Sequence, residues 1–182
     1  PTARNEKETG MNVNAQLEAY HQSGEIGTDE NQYLTFMLAG EEYGVDILRV
    51  QEIKGWDTVT KIPNTPEYVK GVINLRGTIV PIIDMRQRFE LEIKEYGPTT
   101  VVIVLKVMSG DVERTMGVVV DAVSDVYNLT DEDIKPAPDF GAKIDTEYVK
   151  GLATVNEKMV ILLDIDKLIN VGMLEQIKDV AH

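Results

Sequence analysis

A pentapeptide occurs twice in this chain: Glu67 to Gly71 and Glu147 to Gly151 both read EYVKG. Each copy is followed at the same distance by a similar stretch, IVPIIDMRQR from Ile79 and MVILLDIDKL from Met159. Upstream, YGVDILRVQEI from Tyr43 aligns with MGVVVDAVSDV from Met116, placing Gly44 over Gly117 and Val50 over Val123. Several apolar matches in one order argue for duplication rather than chance. The chain therefore reads as two copies of one module, and each copy must satisfy the same backbone.

The module reads as strands. Tyr68 to Leu75 is rich in β-branched and aromatic residues and ends at Gly77. Thr78 to Ile83 is almost continuously apolar, the pattern of a strand buried on both faces. Asp84, with Gln87 three residues on, predicts a capped helix start, and Asp164 repeats it. Between the two strands lies a corner, Asn74-Leu75-Arg76-Gly77, where the second copy has Thr154-Val155-Asn156-Glu157. A shared scaffold with a divergent corner locates function at the first corner or in the seam between the copies. Gly71 and its twin Gly151 predict close packing or a bulge in both copies.

Elsewhere, Gln32–Ala39 and Glu42–Ile53 predict a hairpin turning at Gly40, with Tyr43, Val45 and Ile47 on one face. Trp56 reads as a core or rim plug, and Ile62–Pro66 as a proline-framed loop. Phe89–Thr99 reads as an acidic connector. Thr100–Val107 predicts a buried strand with Glu113–Val120 as its antiparallel partner, extended by Asp121–Leu129. Thr130 caps a turn with its carboxylates near the amino end. Residues 1–31 read as a flexible acidic tail, and 173–180 as a C-terminal helix. Many short strands, turn signals and a duplication point to small barrels or sandwiches.

Composition narrows the function. The 182 residues contain no cysteine, which excludes disulfides, thiolate metal sites and cysteine nucleophiles. The two histidines, His21 and His182, fall in the expected tail and at the last residue, leaving acid–base chemistry without an agent. No phosphate-cradling glycine loop or Gly-x-Ser-x-Gly motif occurs. The matched pair Asp84 and Asp164 reads as helix caps rather than a carboxylate dyad. A net charge of −13 disfavours nucleic acid and anionic lipid. Against that background, Arg49 to Arg88 carries seven cations and four anions, either solvated lysines or a local basic face for an acidic partner. The polar first thirty residues and the lack of a long apolar run predict a cytoplasmic protein without membrane insertion. No enzyme, cofactor or metal is expected; an enzyme whose sheet binds a small ligand is the reading from a different class.

The segments EEYGVDILRVQEI, NTPEYVKGVINLRGTIVPIIDMR, TVVIVL, GVVVDAVSDV and the second EYVKGL together closely resemble the CheW-type chemotaxis coupling family, in order from about Tyr33 onward. The resemblance implies a mainly β fold of two intertwined five-stranded SH3-like barrels, about 32–99 and 100–165 with strand exchange, within one domain over 32–182. It implies a non-catalytic adaptor linking chemoreceptors to the histidine kinase CheA in cytoplasmic arrays at the inner face of the membrane. The implied partners are the regulatory C-terminal domain of CheA and the receptors' cytoplasmic hairpin tip. Arg76 then matches the receptor-side arginine and Glu52 its acidic partner, an expected ion pair, with Asn74, Leu75 and Val102 on the same side. Val50, Asp46 and Gly71 fall on the kinase side. The residues alone favour core for Val102 and leave Val50 open between core and an apolar contact patch. A CheV-like adaptor or another free-standing scaffold of this fold is the alternative.

Overall fold

The computed structural model describes residues 30–138 and 147–170. Residues 1–29 of the expected tail, the C-terminal helix and both histidines lie outside them, while the tail's last two residues, Glu30 and Asn31, belong to the first strand. Among the described residues there are eleven strands: β1 (Glu30–Leu38), β2 (Glu41–Asp46), β3 (Val50–Gly55), β4 (Val69–Leu75), β5 (Thr78–Asp84), β6 (Val101–Ser109), β7 (Val112–Val120), β8 (Ala122–Thr130), β9 (Ile134–Lys135), β10 (Val149–Val155) and β11 (Lys158–Leu163). The short helices α1 (Met85–Arg88) and α2 (Ile165–Asn170) follow β5 and β11.

The strands sort into two sheets, ordered β3-β6-β7-β5-β4 and β8-β1-β2-β11-β10-β9. Each sheet borrows its neighbour's hairpin. The β6–β7 hairpin lies between β3 and β5, and the β1–β2 hairpin lies between β8 and β11. Each borrowed hairpin makes one parallel pairing, β5 with β7 and β11 with β2. Closure follows the same plan in both halves. β8 and β9 sit at opposite edges of their sheet yet are joined by one 3-10 turn, Asp131–Asp133. In the other half the chain beyond β3 returns to β4, where Thr60 and Val72 exchange backbone bonds of 2.9 Å. The fold is therefore mainly β, with two SH3-like barrels.

The apolar residues divide accordingly. One cluster fills the first barrel (Leu75, Val80, Ile82, Val102, Val104, Val119), and a second, around Tyr33, Leu129, Val160 and Leu162, fills the other. The largest cluster draws on both sheets and includes Phe36, Val45, Val50, Ile103, Leu105 and Leu168. This explains the unbroken apolar run of β6: Val102 and Val104 face the barrel, while Ile103, Leu105 and Val107 face the seam. At the seam, Phe89 stacks between Tyr43 and Tyr148, and Arg88 lies 5.8 Å from the ring centroids of both Tyr68 and Tyr148. Those two tyrosines are the twins of the EYVKG repeat.

Two sequence expectations need correction. Thr78 to Ile83 is not buried throughout: Thr78 and Ile79 are exposed, and burial begins at Val80. β5 pairs with β7 only from Ile82 onward, so its first residues lack that partner. Nor does Asp121–Leu129 extend β7 within its sheet. The chain crosses at Asp121, and β8 pairs with β1. Asp121 anchors that crossing, accepting from Arg86 Nε (2.8 Å), Arg86 Nη2 (2.7 Å) and Ala39 N–H (2.9 Å).

Candidate functional site

The corner is set by backbone conformation before any side chain is considered. β4 ends at Leu75 and β5 begins at Thr78, and these two residues pair. Arg76 (φ +49°) and Gly77 (φ +90°) form the connection, a two-residue hairpin loop with positive φ at both positions. The twin corner follows the same path, with Asn156 at φ +50° and Glu157 at φ +66°. The duplication thus preserves the bend and changes what it carries.

At the first corner Arg76 Nη2 lies 2.8 Å from Glu52 Oε1, so the expected ion pair forms. The Arg76 side chain is 67% exposed and Glu52 26%. A pair this open adds about 0–1 kcal/mol to stability, and its effect is to fix where the guanidinium points. Asn74 accepts a bond from Gly77 N–H at 2.8 Å through its side-chain oxygen. Leu75 faces inward, in the core of the first barrel. A surface depression beside the corner is lined by Lys54, Trp56, Ile73, Asn74 and Val102. Val102 is 3% exposed and belongs to the barrel core beneath it. Trp56 plugs the rim, meeting Tyr96 edge-on at 4.5 Å.

The other singled-out residues lie apart from the corner. Asp46 accepts from Leu48 N–H at 2.9 Å, capping the 3-10 turn Ile47–Arg49 between β2 and β3. Val50 follows that turn and is buried in the seam. Gly71 lies in β4 with φ +144°, where an added Cβ would stand 2.3 Å from the Thr60 carbonyl oxygen. Gly151 is also tight, with an added Cβ 2.6 Å from Ile134 Cγ2 and 2.7 Å from the Lys135 oxygen. Both copies shift register at this glycine, so close packing and a bulge occur together.

Asp84 and Asp164 cap their helices, accepting from Gln87 N–H (3.2 Å) and Lys167 N–H (3.1 Å). Asp84 also takes the Tyr96 hydroxyl. Burial first, and then that bond, hold the Tyr96 phenol far above its usual range. The basic segment is less basic in space than in sequence. Arg49 pairs with Asp166 and Arg86 with Asp121, acids from elsewhere in the chain, each at 2.7 Å.

Sequence reasoning missed Ile79, which is 60% exposed and stands opposite Asn74 in the β4–β5 ladder. Its twin Met159 is 57% exposed. Strand alternation carried the signal, because with Val80 and Ile82 turned inward Ile79 faces outward.

The described residues thus form a duplicated barrel with an exposed ion pair on one of its two matching corners. The chain belongs to the CheW-like family, whose domain model matches residues 32–172. It is 51% identical over 150 residues to chemotaxis protein CheW of Klebsiella aerogenes, covering 82% of this chain and 88% of that one. Chemotaxis protein CheW of Rhizobium meliloti is 36% identical over 137 residues, 75% of this chain and 86% of its own. Among solved structures, scaffolding protein TtCheW from Thermoanaerobacter tengcongensis matches with a TM-score of 0.70 at 35% identity, covering 79% of this chain and 94% of that one. The chain is accordingly a chemotaxis scaffold and not an enzyme. Among the described residues no helix is long and apolar enough to cross a membrane.

Proposed function

We propose that this scaffold couples transmembrane chemoreceptors to the histidine kinase CheA, in the cytoplasm and within receptor arrays at the inner face of the membrane. The Arg76 corner, with Glu52 and Asn74, takes the receptor's hairpin tip, and Leu75 and Val102 support that corner from the barrel core beneath it. Val50, Asp46 and Gly71 lie on the side that meets the regulatory C-terminal domain of CheA.

One observation carries this reading: of two corners with the same backbone path, only the first holds an arginine, oriented by Glu52 at 2.8 Å. Glutamate-bearing receptor helices suit a fixed, exposed guanidinium. The test mixes the purified chain with a receptor signalling domain and the CheA C-terminal domain, and measures each association by sedimentation. The wild-type chain is expected to enter complexes with both, and Arg76→Ala to lose the receptor alone. Failure of the wild-type chain to bind either domain overturns the proposal.

A further inference from the structure

Asn74 is the residue of the corner whose side chain is already committed within it. Its oxygen accepts the Gly77 N–H at 2.8 Å, spanning the two residues that carry positive φ. Gly77 adopts positive φ freely, whereas Arg76 carries no side chain suited to it. The twin corner has Asn156, a residue type that tolerates the left-handed region, where the first copy holds Arg76 at nearly the same φ. The first copy carries a carboxamide two residues before Arg76, at Asn74, where the second copy has the shorter Thr154 with no carboxamide. From the backbone so held, Arg76 reaches Glu52 at 2.8 Å.

We infer that Asn74 is a positioning residue rather than a contact residue: it locks Gly77, and through Gly77 the conformation from which Arg76 is presented to the receptor. This rests on the coupling function proposed above and changes the part Asn74 plays in it. The carboxamide oxygen does the work, so aspartate, which keeps an acceptor in the same place, substitutes for it.

The experiment has one arm that needs no partner. Hydrogen exchange at the Gly77 amide is slow in the wild-type chain and in Asn74→Asp, and accelerates in Asn74→Ala by about three- to tenfold, the range of one net hydrogen bond. The second arm measures affinity for a receptor signalling domain. Measured at high salt, where the charge added by aspartate is screened from the receptor's glutamates, Asn74→Ala weakens it by a similar factor and Asn74→Asp by less than about twofold. The double variant Asn74→Ala/Arg76→Ala is no weaker than Arg76→Ala alone, within about twofold. Affinity for the CheA C-terminal domain stays constant and reports that every variant is folded. Losses that multiply in the double variant, or an Asn74→Asp chain as weak as Asn74→Ala, place Asn74 in direct contact and overturn the inference. So does unchanged Gly77 exchange in Asn74→Ala. If Arg76→Ala itself leaves receptor affinity intact, the coupling function at this corner fails instead, and the exchange arm still reports on the lock.

Discussion

Arg76 and Asn156 share one backbone conformation, φ +49° and +50°, at matching corners of the two copies. The second copy carries the residue that this conformation favours and the first does not. A side chain other than Gly, Asn or Asp held there costs about 1–2 kcal/mol. The ion pair with Glu52 returns about 0–1 kcal/mol at this exposure. Arg76→Asn is therefore expected to leave the melting temperature unchanged or to raise it by up to about 8 °C, while receptor association falls. Calorimetry beside a binding titration checks both. A clear fall in melting temperature would mean that Arg76 is retained for stability.

The paired glycines make a sharper structural prediction. An alanine Cβ at Gly71 would meet the Thr60 carbonyl oxygen at 2.3 Å, and at Gly151 the Lys135 oxygen at 2.7 Å. Both neighbours are backbone, which cannot swing aside. Each substitution is expected to cost about 1–3 kcal/mol, with Gly71→Ala the worse because its φ is +144°. Urea denaturation measures this. If Gly71→Ala unfolds at the wild-type urea concentration, the tight approach of Thr60 is not a constraint.

Asp121 predicts how the fold responds to acid. Burial alone would raise its carboxyl pKa. The bonds from Arg86 outweigh that, assisted by the Ala39 N–H, and hold it below the usual carboxylate range. A depressed folded-state pKa gives stability that is present above the unfolded value of about 3.9. That stability is lost as pH falls through the folded value. Asp121→Asn should therefore be less stable than wild type at neutral pH, with the gap closing below about pH 4. A gap of constant size from pH 7 to pH 3, measured by denaturant titration at each pH, would show that Asp121 does not carry this term.

Much of this was legible in the chain because duplication gives every local signal a second reading. The aspartate caps, the glycine bulges and the divergent corner all come from residues whose twins sit in the same local structure. The Glu52–Arg76 contact was legible through family resemblance. Periodicity reports which face of a strand is buried and not which strand lies beside it, so the crossing at Asp121 was invisible. Its partner Arg86 lies far away in sequence, and so does Asp166 from Arg49. Charge counting along the chain therefore overstated the basic segment. Ile79 was hidden in an apolar run because the pairing of β5 with β7 begins only at Ile82, a property of the assembled sheet. Arg88 between Tyr68 and Tyr148 likewise exists only once the two copies are assembled.

Exchange of the corners tests the central claim most directly. Replacing Asn74, Leu75, Arg76 and Gly77 by the second copy's Thr, Val, Asn and Glu keeps a bend that this fold already supports. Affinity is then titrated against a receptor signalling domain and the CheA C-terminal domain. The account predicts a folded chain with wild-type kinase affinity and no measurable receptor affinity. Receptor binding at wild-type strength would show that the corner's identity is irrelevant and that the receptor reads another surface.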